Sequence, residues 1–146
     1  SRKQPPSVAI ALVVGFVAGS SPTLRDLARP NPTMKESPIF TRSYDLMAWL
    51  IPQTLNFPKS QRGVLARRLQ DTACAFHEQL VEASHADDPR PVLRHADATL
   101  TKLRTYLRLS QELRLLSLRQ YEHAAHLTDE IGRLLGGWQR KLTRER

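Results

Sequence analysis

From Leu118 onward, apolar side chains recur at three- and four-residue steps: Leu118, Tyr121, Ala125, Thr128, Ile131, Leu135, Trp138 and Leu142. That spacing predicts a long helix with one buried face. Its start is also legible. Ser117 and Gln120 have the S-x-x-Q spacing of a capping box, in which the hydroxyl accepts from a free backbone N–H and the amide reaches back. Leu116 and Tyr121 occupy the two positions of a hydrophobic staple around that cap.

Three further helices precede it. Ser37-Pro38 reads as an N-cap followed by proline at the first helical position, where a missing N–H is harmless. Phe40, Tyr44, Met47, Ile51 and Leu55 then line one face, with Leu46 and Leu50 beside them; Pro52 inside this pattern predicts a kink. Asn56-Phe57-Pro58 ends that helix. A second starts near Pro58 to Ser60, with Leu65, Leu69, Thr72, Phe76, Leu80 and Ala83 facing inwards and Arg62, Arg67, Arg68, Glu78 and Glu82 facing out. Asp88 is the expected N-cap of a third, with Pro89 as its first residue. Leu93, Ala96, Leu100, Leu103, Leu107 and Leu113 form its inward stripe, and Arg94, Lys102, Arg104 and Arg108 its outer faces. No stretch alternates with period two, so no strand is expected. Helices of roughly 18 to 26 residues are about 27–39 Å long, and short loops make sequential neighbours antiparallel. The expected fold is all-α, an up-down-up-down four-helix bundle over residues 37–142, with a basic C-terminal tail at 143–146.

Residues 1–36 differ. They carry Pro5, Pro6, Pro22, Pro30 and Pro32 and a single apolar run, Val8 to Ala18, too short to span a bilayer. Arg2 and Lys3 before that run, and Ala18-Gly19-Ser20 after it, resemble a signal-peptide core. The competing expectation is that Met34 is the native start and that what precedes it is an upstream, poorly structured extension. Residues 1–33 hold four basic and one acidic side chain; residues 34–146 hold 18 and 13, so the domain is +5 by itself.

The whole chain of 146 residues sets 22 Lys and Arg against 14 Asp and Glu, a formal +8. Such a surplus favours polyanionic partners. Most of the basic residues are arginine, which makes forked contacts to phosphate where lysine acts as a point charge. The lone cysteine, Cys74, excludes an intrachain disulfide and any cysteine-cluster zinc site, and fits a reducing, cytoplasmic compartment. With no signature around it, Cys74 reads as a small side chain on a helix.

Candidate chemistry is sparse. A di-iron bundle needs two Glu-x-x-His motifs with further inward glutamates. Glu82-Ala83-Ser84-His85 is one such motif and has no second. His123 and His126 lack a third ligand. There is no phosphate-cradling glycine loop and no G-x-S-x-G, and the carboxylates are scattered among arginines. The reading is a non-enzyme with no cofactor, no metal and no catalytic residue.

Gly132 and Gly136 lie four apart on one stripe, with Gly137 adjacent. Interior glycine costs up to about 1 kcal/mol relative to alanine, so close approach of another helix, from this bundle or a second subunit, is one explanation; the other is a C-terminal stop signal. Trp138 and Leu142 continue the apolar stripe past them and favour continuation, with Trp138 joining Gly132 and Gly136 as a packing candidate. The basic candidates for nucleic-acid or partner binding are Lys59, Arg62, Arg67, Arg68, Lys102, Arg104, Arg108, Arg119, Arg133, Arg140 and Lys141. A surface of this kind contacts phosphate without reading bases, and its binding weakens steeply with salt. Few aromatics are interleaved, so stacking of the single-strand-binding type is not indicated.

Taken in order, Tyr44-Asp45-Leu46, Trp49-Leu50-Ile51-Pro52, Phe57-Pro58-Lys59-Ser60-Gln61-Arg62, Leu107-Arg108-Leu109, Glu112-Leu113, Leu116-Ser117, Gln120-Tyr121-Glu122 and Asp129-Glu130-Ile131-Gly132-Arg133-x-Leu135-Gly136-Gly137-Trp138 resemble the accessory variability determinant (Avd) proteins of diversity-generating retroelements. These belong with the four-helix-bundle proteins encoded in ribosomal-RNA intervening sequences. The resemblance spans about residues 38 to 142 and has no counterpart for the N-terminal extension. It implies a homopentamer of four-helix bundles with a basic surface, partnered with the reverse transcriptase, template RNA and cDNA or other DNA, and no membrane. It also implies a non-catalytic role in mutagenic cDNA synthesis. The alternative is an oligomeric scaffold of the rRNA intervening-sequence type. The Asp129-to-Trp138 ending and the basic balance favour Avd.

Overall fold

In the computed structural model, residues 37–145 are described, and every regular element among them is helical. The expectations for residues 1–36, including the apolar run and the Met34 start, lie outside the described residues. Helix α1 is Pro38–Thr54. Ser37 precedes it in an extended conformation and supplies its carbonyl, not its hydroxyl, to the Phe40 N–H at 3.1 Å. Pro52 falls in the last turn rather than mid-helix. Three successive four-residue turns follow, closed by the N–H groups of Leu55, Asn56 and Phe57, and deliver the Phe57 ring into the core at 1% exposure.

Helix α2, Arg67–His85, is led by a short helical turn, Lys59–Gln61, and a π-helical turn, Arg62–Ala66. The π turn was not evident from the apolar spacing, which registers only from Leu65 on. Helix α3 is Arg90–Glu112. The Asp88 carboxylate accepts the Arg90 backbone N–H at 3.2 Å and the same residue's guanidinium at 2.8 Å, but the N-cap falls one residue later than expected, on Pro89, which carries no side-chain cap bond. Helix α4 is Leu118–Arg144 and passes through Gly136 and Gly137 without a break.

The α3–α4 connection is the most tightly specified turn. The Leu115 N–H reaches back to the Ser110 carbonyl at 2.8 Å and the Arg114 N–H to Gln111 at 2.9 Å, a Schellman closure. Arg114 occupies its left-handed position at φ 64°. Three residues later the capping box closes: the Gln120 N–H donates to Ser117 Oγ at 3.1 Å and the Ser117 N–H to Gln120 Oε1 at 2.8 Å. Leu116, the staple residue, is 1% exposed.

Contacts between helices fix the antiparallel order. Along α1 and α2, Ser43 meets His77 and Thr54 meets Gln70; along α2 and α3, Arg68 meets Tyr106. Along α3 and α4, Arg104 meets Thr128; along α1 and α4, Arg42 meets Glu130 and Gln53 meets Gln120. Along α1–α2 and α1–α4, where two contacts are given, one number rises as the other falls, and the short α2–α3 and α3–α4 connections reverse the chain again. The helices thus pack in a ring, α1–α2–α3–α4 and back to α1. One end, here the loop end, gathers the α1–α2 and α3–α4 connections.

The core is mostly leucine: Leu46, Leu50, Leu69, Leu80, Leu93, Leu100, Leu103, Leu107 and Leu135, with Phe76 and Ile131, are at most 1% exposed. Burial of such a side chain contributes about 1.5–3 kcal/mol. Four details of the inward faces are corrected. On α1 the buried face is Ile39, Phe40, Ser43, Leu46, Leu50 and Thr54, whereas Tyr44 and Leu55 are exposed. The stripe is rotated because Ser43 and Thr54 find polar partners on α2, which hydropathy does not reveal. On α2 the buried residue is Ala73 rather than Thr72, and on α4 it is Ala124 rather than Ala125. Leu113 and Leu118, both expected inside, are 52% and 59% exposed because α3 ends at Glu112 and the turn carries them outwards.

Two substitutions flanking this turn are expected to have opposite signs in chemical denaturation. Ser117→Ala removes half the capping box and lowers stability by about 1 kcal/mol. Arg114→Gly relieves a left-handed residue and raises it by about 1 kcal/mol.

Candidate nucleic-acid and partner interface

All eleven basic candidates are exposed, but they are not equivalent. Arg104 is committed to the α3–α4 contact. Its Nη2 donates to the Thr128 carbonyl at 3.0 Å and lies 3.9 Å from Asp129. Arg108 is bonded along its own helix to Glu112 at 3.1 Å. Arg68 lies 5.9 Å from the centre of the Tyr106 ring, and Arg62 Nε donates to the Phe57 carbonyl at 3.2 Å. Among the described residues no carboxylate pairs with Lys59, Arg62, Arg67, Arg68, Lys102, Arg119, Arg133, Arg140 or Lys141. Arg42, absent from the candidates, is tied to Asp45 and Glu130.

The fold concentrates charge at the loop end. Residues 55–71 and 108–122 hold seven basic and three acidic side chains, four of the five net charges carried by residues 34–146. The contacts Gln53–Gln120 and Arg68–Tyr106 hold these two segments at the same end of the bundle. Of the six large, exposed apolar side chains among the described residues, five lie there too: Leu55, Val64, Leu109, Leu113 and Leu118. Exposed apolar residues gathered in one place mark interaction surfaces more often than scattered ones do. Sequence spacing missed this set, since Leu55, Leu113 and Leu118 fit inward stripes. The signal available was their position next to helix ends, where a stripe leaves the core.

A hollow of about 250 Å³ opens at this end, lined by Thr54, Leu55, Arg62, Ala66, Arg67 and Gln70. At the opposite end a larger and mostly apolar groove of about 450 Å³ runs between the start of α1 and the end of α4, over Ile39, Leu134, Trp138 and Leu142, with Arg133 and Lys141 beside it. The Trp138 ring tilts against Phe40 at 6.1 Å, so its inner side packs within the bundle.

The glycines separate by what surrounds them. A Cβ on Gly132 would stand 2.5 Å from Arg104 Nη2, so this glycine makes room for the guanidinium that bridges α3 and α4. At Gly136 and Gly137 the nearest atoms belong to the mobile end of Arg140, at 3.2 and 3.9 Å.

Among the described residues, burial and pairing account for the shifted titratable groups. Burial pushes the His77 imidazole below its usual range; its Nδ1 meets Ser43 Oγ at 3.0 Å and its ring meets Phe40 edge-on. His123 packs against Trp49 with ring centres 4.7 Å apart and planes tilted by 50°, while His85, His95 and His126 are exposed. Burial, then Glu78 and Asp71, raise the Cys74 thiol, which disfavours the thiolate a nucleophile requires. Hydrogen bonds from Arg90 hold the Asp88 carboxyl down. No three potential metal ligands come together among the described residues. No helix among them is long and apolar enough to cross a membrane.

Compared with known families, residues 39–142 match the family described as bAvd-like, across nearly the whole helical region. The chain belongs to the bAvd-like family. Membership accords with the antiparallel bundle and points to an accessory protein of a retroelement, a kind of protein that is typically non-catalytic. No curated protein sequence gives a significant match. Within this bAvd-like bundle, Gly137→Ala is expected to add about 0.5–1 kcal/mol of stability through helix propensity. Gly132→Ala should gain little or lose stability, because the new methyl displaces Arg104 from Thr128. Equal stabilisation by both in thermal denaturation would show that Gly132 has no packing role.

Proposed function

We propose that this protein is the non-catalytic accessory subunit of a diversity-generating retroelement. In this reading its basic surface binds the reverse transcriptase and the template RNA and cDNA, supporting mutagenic cDNA synthesis in the cytoplasm. Like the Avd proteins it resembles, it works as a homo-oligomer, a pentamer. The observation that supports this best is the loop end, where unpaired guanidiniums stand among exposed leucines. Guanidiniums suit phosphates of any sequence. Leucines add little to a phosphate contact, but they suit the apolar core of a protein interface. One end can therefore serve a nucleic acid and a protein that acts on it.

Placing the polymerase contact near the template contact also has a physical rationale. Binding both ligands on one rigid bundle raises the effective concentration of each for the other. Nothing in the site has to carry a proton or hold a metal for this role.

The reading predicts binding of single-stranded RNA with a steep salt dependence between 50 and 500 mM. Lys59→Glu with Arg119→Glu should flatten the log–log slope by about 1.4, at about 0.7 per lost phosphate contact, while leaving helicity by circular dichroism unchanged. Light scattering should give the mass of five chains, and a reverse transcriptase of the same retroelement should co-purify. A salt-independent affinity, or a monomer that captures neither RNA nor polymerase, would overturn the proposal.

A further inference from the structure

The hollow at the loop end has an unusual wall. Arg62 and Arg67 are five residues apart. In an α-helix at 3.6 residues per turn such positions point about 140° apart. Here the π-helical turn intervenes: the Arg67 N–H bonds to the Arg62 carbonyl, setting Arg67 one full turn along from Arg62. Both arginines consequently line the same hollow. π turns of this kind are uncommon and frequent at functional sites.

The remaining polar wall is already satisfied. Thr54 Oγ1 donates to the Ile51 carbonyl at 2.6 Å and accepts from Gln70 Nε2 at 2.8 Å. Arg62 Nε is held by the Phe57 carbonyl at 3.2 Å, which fixes the guanidinium plane and leaves its two terminal nitrogens available. No carboxylate lines the hollow. Two like charges facing one space without a counter-charge repel each other. The space is large enough for a phosphate with its water, and forked donors match phosphate oxygens geometrically.

We propose that Arg62 and Arg67 form a phosphate clamp, preset by the π-helical turn, on the loop end of the bundle. Its natural occupant is a phosphodiester of the bound strand, and that identification of the source rests on the nucleic-acid reading above. The clamp itself asks only for a phosphate group.

The test uses the full chain with arginine side-chain NMR and two probes: inorganic phosphate and a single-stranded RNA oligonucleotide of mixed sequence. The Arg62 and Arg67 Nε–H signals should move with both. Arg62→Gln and Arg67→Gln should each abolish the phosphate response of the other arginine and weaken RNA binding about tenfold. Arg94→Gln, an equal charge loss at the other end of the bundle, should change RNA affinity much less. If phosphate moves both signals and RNA binds without moving them, the clamp stands and its source is a free phosphate. If phosphate moves both signals and RNA does not bind at all, the clamp stands and the nucleic-acid reading falls. If RNA binds while neither probe moves Arg62 or Arg67, or if Arg94→Gln weakens RNA binding as much as Arg67→Gln, the clamp is refuted and the nucleic-acid reading survives.

Discussion

The leucine stripe of α3 sets the arrangement of everything else. Leu93, Leu100, Leu103 and Leu107 are fully buried, with Ala96 between them, and α3 packs against both α2 and α4. Removing one such side chain to alanine typically costs 2–5 kcal/mol, so the stripe also fixes α3's rotation. That rotation turns Lys102, Arg104 and Arg108 outwards and aims Arg104 across Gly132 at α4. The stripe stops where the helix does. Beyond Leu107 the Schellman closure and capping box take over, and the chain turns Leu109, Leu113 and Leu118 out of the core. Exposed leucines at the loop end are thus a consequence of how the bundle closes.

The same closure explains the charge. Both segments at the loop end carry arginine, the first also Lys59, and of these Arg108 alone has a carboxylate partner among the described residues. Arg42, Arg90 and Arg104, by contrast, are bonded to acids or carbonyls that hold helices or caps together. Cationic side chains in this family member therefore divide by position. Arg42 and Arg104 bridge helices along the bundle's length, while at the loop end Lys59, Arg67 and Arg119 have no carboxylate partner among the described residues. A rigid frame with a cationic, partly apolar end suits the accessory role that its family points to.

Much of the fold was legible because the signals were local. The capping box at Ser117–Gln120 and the apolar spacing of α2 and α3 each depend on neighbouring residues. What escaped depends on partners distant in sequence. Ser43 and Thr54 are buried on α1 because His77 and Gln70 satisfy them, so the buried face is rotated from the one its hydrophobic residues suggest. The π turn adds one residue to a helical circuit, and no hydropathy period reports that. For the interface, arginine number and exposure were readable from the sequence, whereas pairing was not: Arg104 and Arg119 look alike in a string of letters. The bAvd-like resemblance was carried by many weak motifs in fixed order, which hold because they sit on consecutive helix faces and ends.

The central claim is that the loop end, not the bundle's flanks or its opposite end, meets the polyanion. Hydrogen–deuterium exchange of the chain with and without single-stranded RNA tests it directly. Residues 55–71 and 108–122 should gain protection together while the backbone around Ile39 and Trp138 exchanges unchanged. Protection confined to the α1 start and α4 end, with the loop end unaltered, would contradict the account.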